Sequence, residues 1–418
     1  MRAGHAPADV LVLGAGMVGV GTALALQQRG HHVTLVDRHA SCRETSYGNA
    51  GIIQREAVEP YGFPRDLRQL LGIATGRRNE AHYHVAQLLR LVPALLRYWR
   101  NSAPAPYARI AAAYAQLIRH CIAEHQGWID AAQAQDLVGG RGWREAYRSP
   151  RLLAQAAAHA QPLAARAGLG LQLLDGPALA AAEPGLRGPM AGALHWTDPW
   201  TIRHPGQLVD RYVALLRRRG GRLVQGNADT LRASGAGWAV DTEDGRIDAP
   251  TAVLALGPWS DRATRALGYR LPLFVKRGYH RHYRGGTTLA MPLLDTEQGV
   301  LLAPMQQGLR ITTGAEFAAL DAPPTPRQLA RGEQAARTLL DLGDPVEAQP
   351  WMGARPCTVD MLPVIGPAPR HRGLWFNFGH SHQGFTLGPA SGRLLAELIG
   401  GETPYIDPVP YAPQRFGA

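Results

Sequence analysis

Three glycines and an acid are the first residues in this chain whose types and spacing imply chemistry. Gly14, Gly16 and Gly19 form GxGxxG directly after the apolar run Val10–Leu13, and the next strand-like run, His32–Asp37, ends in an acid 18 residues beyond Gly19. Glycines at this spacing let a buried strand turn sharply into a helix, let the backbone approach a pyrophosphate, and let the helix pack closely on the sheet. Free N–H groups at the helix start attract phosphate, and a carboxylate ending the second strand takes ribose hydroxyls. The stretch from Val10 to Leu26 holds 17 uncharged residues and so competes with a membrane span or a signal sequence. Glycines at turn spacing, Asp9 directly before the run and the lack of a leading basic region argue against both.

Other stretches carry chemistry of the same kind. Thr45-Ser-Tyr-Gly-Asn-Ala-Gly-Ile-Ile53 packs two glycines among hydrogen-bonding side chains and reads as a second cofactor loop, with an ordinary Asx or Ser turn as the competing reading. Ala252–Gly257 is a buried strand ending in glycine, and Pro258-Trp-Ser-Asp starts a helix beside it. Near the C terminus a polar, glycine-bearing turn follows the strand Leu374–Phe378 and precedes a helix over Pro389–Ile399.

These residues need elements to position them, and the pattern is that of an α/β protein. Tyr83 to Asp136 is helical in pattern, with Leu88, Leu89, Leu91, Val92, Leu95 and Leu96 preceding Tyr107–Gln126 and a break at Pro104 and Pro106. Gln207–Arg219 is an amphipathic helix stopped by Gly220-Gly221, with a strand at Arg222–Gln225. Trp238-Ala-Val-Asp and Asp244-Gly-Arg-Ile read as a small hairpin. From Leu271 to Ile311 glycine-broken strands predict a large antiparallel sheet, with Tyr279, Arg281 and Tyr283 on one face and His280 and His282 on the other. A helix is expected over Pro323–Leu342. The first domain is therefore assembled from separated segments, 1–80, 150–265 and 350–418, with a helical insertion at 81–149 and a second domain at 266–349.

Composition narrows the function classes. With 418 residues, 45% of them hydrophobic, two domains are the default. The formal charge is +11, but the basic residues are scattered and almost all arginine, Lys276 being the one lysine, so nucleic acid is not an expected partner. Cys42, Cys121 and Cys357 lie far apart without CxxC spacing, which argues against a disulfide framework or a zinc site and suits a reducing compartment. No metal is expected. No amphipathic membrane anchor is evident.

Taken in order, the motifs resemble the family of FAD-dependent amine and amino-acid oxidoreductases that includes D-amino acid oxidase, glycine oxidase, sarcosine oxidase and bacterial D-amino acid dehydrogenase. The signs are Gly14–Gly19 with Asp37-Arg38, Thr45–Gly51, Ala255-Leu-Gly-Pro-Trp-Ser260, Gly353-Ala-Arg-Pro356 with Asp360–Gly366, and Gly379-His-Ser-His-Gln-Gly-Phe-Thr386. The dehydrogenase branch, including enzymes for cyclic amino acids such as D-hydroxyproline, looks closest. The resemblance implies non-covalent FAD held in a Rossmann-like domain of discontinuous segments, beside a substrate domain with a large antiparallel sheet. It implies that Gly14, Ala15, Gly16, Val18 and Gly19 surround the pyrophosphate, and that Asp37 and Arg38 meet the adenosine. Thr45, Ser46, Asn49, Ala50, Gly51 and Ile52 approach the isoalloxazine, Gly257 and Trp259 lie against the cofactor, and Gly379, His380, Gln383, Gly384, Phe385 and Thr386 face the flavin from the C-terminal turn. Arg355 is expected to grip a substrate α-carboxylate, because that role needs a planar, permanently charged, two-point donor. Tyr279 and His382 are the other residues expected at the substrate.

The reaction so implied is oxidation of the Cα–N bond of a small amino acid, of D configuration or cyclic, by hydride transfer from Cα to flavin N5, giving an imine that hydrolyses to a keto acid. Electrons would pass to a quinone or another carrier. A glycine- or sarcosine-type oxidase using O2, an NAD-dependent dehydrogenase and a flavin-binding scaffold subunit are the alternatives. The expected location is the cytoplasm, without an integral membrane segment and with any membrane association peripheral, at the inner face.

Overall fold

The computed structural model describes residues 9–39, 44–66, 70, 72, 79 and 81–417, with the backbone alone for 85–90. Cys42 and the side chains of Leu88 and Leu89 lie outside the described residues. The elements that carry the site run in the order β1 (Asp9–Leu13), α1 (Met17–Gln28), β2 (His32–Asp37), α2 (Val85–Asn101), α3 (Pro104–Ala132), β3 (Arg222–Ser234), β4 (Thr251–Leu254), β5 (Leu273–Gly285), β6 (Gly308–Thr313), β7 (Ala315–Phe317), β8 (Trp351–Thr358), β9 (Leu374–Phe378) and α4 (Gly384–Ile399).

The apolar runs flanking the glycine turn pair as parallel strands, because both of their faces are covered. β3, β2, β1, β4 and β9 lie side by side in that order, all parallel, so their carboxyl ends open on one edge of the sheet. The hairpin Gly237–Thr242 with Gly245–Ala249 extends the β3 side, and Val364–Pro367 closes the β9 side antiparallel. α1 is buried over most of its length and crosses α4 at backbone contact distance. A Cβ on Gly21 would sit 2.8 Å from the Gly388 carbonyl oxygen, and one on Gly392 2.6 Å from the Gly21 carbonyl carbon. No helix among the described residues is long and apolar enough to cross a membrane, so the Val10–Leu26 run is strand, turn and helix.

Among the described residues the second sheet has twelve strands, with β5 paired antiparallel to β6 and β7 on one side and to β8 on the other. The antiparallel sheet expected after Leu271 is therefore present, but it recruits more of the chain. Val138–Tyr147, Leu171–Asp175, Gly192–Ile202 and β8 also hydrogen-bond into it. The sequence reading placed these residues in the insertion or the first domain, so the sheets divide the chain at other boundaries. Glycines hid the first of these strands: Val138–Tyr147 carries Gly139, Gly140 and Gly142, and its register shifts twice against Gly192–Ile202.

The helical insertion is two helices broken before Pro104, which occupies the first turn of α3, where its missing N–H costs nothing. Leu91, Ala94, Leu95 and Tyr98 of α2 pack inward with Phe63, Phe274 and Cys357. Val92, Leu96 and Trp99, each one residue further on, remain exposed beside that face, among the exposed Arg97 and Arg100. The segment expected to be helical thus includes an amphipathic surface helix. The C-terminal helix begins at Gly384 rather than Pro389, because Pro389 is accommodated inside it.

Candidate functional site

The carboxyl ends of the parallel strands and one face of β5 border a cavity of about 740 Å³. Its floor at one end is the glycine turn. Gly14 has φ +107°, and a Cβ there would lie 2.4 Å from the Ala255 carbonyl oxygen, so only glycine lets β1 and the end of β4 approach this closely. Gly16 precedes α1 with no side-chain cap, leaving the helix start facing the cavity. The Asp37 carboxylate accepts the Ala15 N–H at 2.7 Å and the His39 N–H at 3.1 Å, which fixes it at the mouth of the turn. The Arg38 guanidinium lies 4.0 Å over the Trp259 ring and pairs with Glu44. Asn227 and Asp229 of β3, Gly257 and Trp259 complete this end.

The second loop is tied down from both sheets. Ser46 Oγ accepts the Met17 N–H at 3.0 Å, and Thr45 Oγ1 donates to the Ala354 carbonyl at 2.7 Å. Asn49 Oδ1 accepts the Gly51 N–H at 2.8 Å, an Asx turn, while Thr45, Ser46, Asn49, Ala50 and Ile52 also line the cavity. The turn reading therefore holds, in a loop that also borders the cavity. Behind it the buried Arg310 of β6 donates to the Tyr47 and Asn49 carbonyls and, through Nε, to His282 Nε2 at 2.9 Å. Burial pushes the Arg310 guanidinium down to about 10. Sequence gave no signal for Arg310, since nothing separates it from the other arginines until β6 packs behind the loop.

The third wall is the turn before α4. Gly379 has φ +84° and lines the cavity with His380, Ser381, His382, Gly384 and Phe385. Burial pushes His380 down to about 3, and its Nε2 meets Ser391 Oγ at 3.0 Å. His382 is pushed down to about 3 by burial and then by the charges of Arg355 and Lys276, and its ring meets Tyr61 edge-on with centroids 4.4 Å apart. Both imidazoles are neutral near pH 7. Gln383 donates to Gln54 Oε1 at 2.7 Å, and Thr386 Oγ1 accepts the Gln54 N–H at 3.2 Å.

Arg355 of β8 lies on the wall of the larger sheet. Its guanidinium donates from Nη1 to the Gly314 carbonyl at 2.7 Å and from Nη2 to the Thr313 carbonyl at 3.3 Å, which fixes its plane. Gly278 of β5 supplies the space it crosses: a Cβ there would lie 2.6 Å from Nη2. Thr313 Oγ1, His382 Nε2 and Asn377 Oδ1 are buried atoms of cavity-lining residues without a hydrogen-bond partner. The glycine cradle, the helix start and these unspent polar atoms fit a long, phosphate-bearing cofactor with a flat polar ring system.

Several expected site residues do not reach the cavity. Tyr279 is the clearest correction. β5 alternates faces, so Tyr279 points away from the side that carries Lys276 and Gly278, and its hydroxyl donates to Glu316 at 2.6 Å and accepts the Thr325 N–H at 2.8 Å. Arg277 pairs with Glu316 on the same buried face. Gly19 packs against Gly14, Ala15 spends its N–H on Asp37, Gly51 packs on Ile202, and Gln383 and Thr386 brace Gln54; these support the wall without lining it. Lys276 lines it, and so do residues without a signal in the sequence, among them Tyr61, Tyr98, Trp143, Phe317 and Trp351. His82, His84 and Glu316 bring three ligand-type atoms within 4.8 Å of one another, but the Glu316 carboxylate is already committed to Arg277, Tyr279 and Thr325.

Residues 9–398 match the family described as FAD dependent oxidoreductase. A D-amino acid dehydrogenase of Cereibacter sphaeroides is 32% identical over 450 residues, covering 98% of this chain and 95% of that protein. A D-amino-acid oxidase of Bradyrhizobium diazoefficiens is 28% identical over 419 residues, covering 97% and 98%. Among solved structures, glycine oxidase from Geobacillus kaustophilus superposes with a TM-score of 0.74 at 20% identity over 98% of this chain and 99% of that one. L-proline dehydrogenase from P. horikoshii gives 0.69 at 17% identity over 98% of each. These two likenesses concern the fold.

Proposed function

The chain belongs to the FAD-dependent oxidoreductase family, and within it we propose a dehydrogenase that oxidises the Cα–N bond of an amino acid whose carboxylate is held by Arg355. The observation that carries this reading is Arg355 itself, a guanidinium oriented by two backbone carbonyls, given room by Gly278 and facing the same cavity as the glycine turn. Bound FAD supplies the two-electron oxidant. The chain's residues do the rest. Gly14, Gly16, the start of α1 and Asp37 hold the dinucleotide, and Thr45, Ser46, Asn49, Ala50 and Ile52 with the turn Gly379–Phe385 surround the ring system. The start of α4 directs its positive end toward the cavity, where it would favour negative charge on a bound ring system.

Arg355 fixes the substrate by its carboxylate, so the Cα–H is presented in one orientation. His382 is neutral and leaves a buried Nε2 free, so it can hydrogen-bond the substrate without adding charge. The names of the relatives in Cereibacter and Bradyrhizobium support amino acids of D configuration as substrates. Cys357 does not line the cavity, which supports non-covalent FAD. We read the exposed stripe Val92, Leu96 and Trp99 on α2, flanked by Arg97 and Arg100, as the means of peripheral association with an anionic membrane surface, where a quinone would take the electrons.

The test is anaerobic bleaching of the purified yellow protein by a panel of D-amino acids, glycine, sarcosine and D-prolines. Rapid bleaching by at least one supports the reading, and a flavin inert to all of them overturns it. Hydrogen peroxide formed in step with turnover in air would make the protein an oxidase instead.

A further inference from the structure

Lys276, the one lysine of the chain, stands directly opposite Arg355 in the β5–β8 pairing. Directly opposed residues share a face of the sheet, and both of these line the cavity. Opposed like charges destabilise a sheet unless something anionic answers them. The acids that line the cavity are engaged elsewhere: Asp37 on the Ala15 N–H, Glu44 on Arg38, and Asp229 on Arg262. Behind the wall, burial pushes Glu56 up to about 8, so it offers no full charge near neutral pH, and burial raises Glu145 as well. Among the described residues, the cavity therefore presents two cations without a lining carboxylate that answers them.

The two heads also diverge. Arg355 crosses Gly278 toward the Thr313 and Gly314 carbonyls. Lys276 Nζ donates to Tyr98 Oη at 3.1 Å and lies 4.4 Å from the Tyr98 ring, 5.5 Å from Phe274 and 5.6 Å from Phe317. Phe274 and Gly278 lie two residues either side of Lys276 on the same face, so the two heads lean in opposite directions along the strand. Tyr98 uses one of the three ammonium donors, which leaves two for an anionic group in the cavity that Lys276 lines. We infer that Lys276 binds a second carboxylate of the substrate, so that the preferred substrate is an acidic amino acid. This rests on the proposed role of Arg355 and names the substrate class of that site.

The test uses the holoenzyme and compares kcat/KM for D-glutamate and D-aspartate with D-glutamine and D-asparagine, amides of matching size that keep the α-carboxylate. The wild type should favour the acids by about tenfold or more, the worth of one charge-assisted hydrogen bond. Lys276→Gln should shrink the acid-to-amide ratio by about the same factor, and Tyr98→Phe, which leaves the ammonium in place but loosens it, should shrink it less. As a readout independent of turnover, glutarate should perturb the flavin spectrum at lower concentration than butyrate, and Lys276→Gln should remove that difference. A wild type that takes amides as well as acids, or a Lys276→Gln variant that loses activity on both in equal proportion, overturns the inference. If Lys276→Gln does not fold, the wild-type ratio, the glutarate–butyrate comparison and Tyr98→Phe decide it. Bleaching by neutral amino acids alone refutes this inference and leaves the proposed function standing, whereas no bleaching at all refutes the proposed function.

Discussion

Gly278→Ala perturbs the carboxylate site by one methyl group and leaves every charge in place. A Cβ at position 278 would stand 2.6 Å from Arg355 Nη2 and 2.9 Å from Cζ, whereas ordinary contact begins at 3.4 Å, so the guanidinium must retreat by about 0.8 Å. Its retreat is resisted by the hydrogen bonds to Gly314 and Thr313. Gly278 has no positive φ, so alanine brings no backbone strain of its own. A displacement near 1 Å in a group that orients the reacting carbon costs about a hundredfold, or about 2.7 kcal/mol, in kcat/KM. The assay measures kcat/KM for an amino acid and for the matching amine without a carboxylate, together with flavin content and melting temperature. The acid should lose the hundredfold and the amine much less, with flavin retained. If the acid and the amine fall together, or if the acid keeps its rate within about threefold, Arg355 does not hold the carboxylate and the reasoning fails.

Arg355→Lys keeps the charge but loses the planar fork, and should remain impaired by about a hundredfold with selectivity for carboxylates reduced, as kinetics on the same pair of compounds would show. Asp37→Ala should weaken FAD retention by about 1.5 to 3 kcal/mol while the fold persists, which dialysis followed by flavin absorbance checks. Glu56→Gln addresses a buried carboxyl raised to about 8, whose Oε1 accepts from Trp143 at 2.8 Å and Gln54 at 2.9 Å. A raised folded-state value means that its contribution to stability is whole below the unfolded carboxyl range and declines as pH rises toward 8, so the variant should melt higher than wild type at pH 8 to 9 and flatten the decline. The opposite sign applies to His125 and His380, pushed down by burial to about 4 and about 3. Their neutral forms are stabilising above the unfolded value, about 6.5, and stability should drain as pH falls below it, by up to about 1.4 kcal/mol per pH unit for each, as denaturant titrations between pH 7 and 5 would measure.

What the sequence determined by itself is the part of the site built from short, local spacings. Gly14, Gly16 and Gly19 between two apolar runs specify a strand, turn and helix without reference to the rest of the chain, and Asp37 follows because β2 must end where β1 ends. The second loop and the C-terminal turn were legible for the same reason: glycines and small polar residues admit few backbone paths. Arg355 was readable only because it stood in a recognisable string of neighbours. Tertiary structure decided which residues face the cavity. Tyr279 and Lys276 are three residues apart on one strand and looked equally available, but strand alternation sends the tyrosine to Glu316 and the lysine to the cavity. Arg310 became the anchor of the second loop, and Tyr98 the partner of Lys276, through contacts spanning 261 and 178 residues of chain. No local pattern encodes such pairs, because they exist only once two sheets and a helical insertion have closed around the same space.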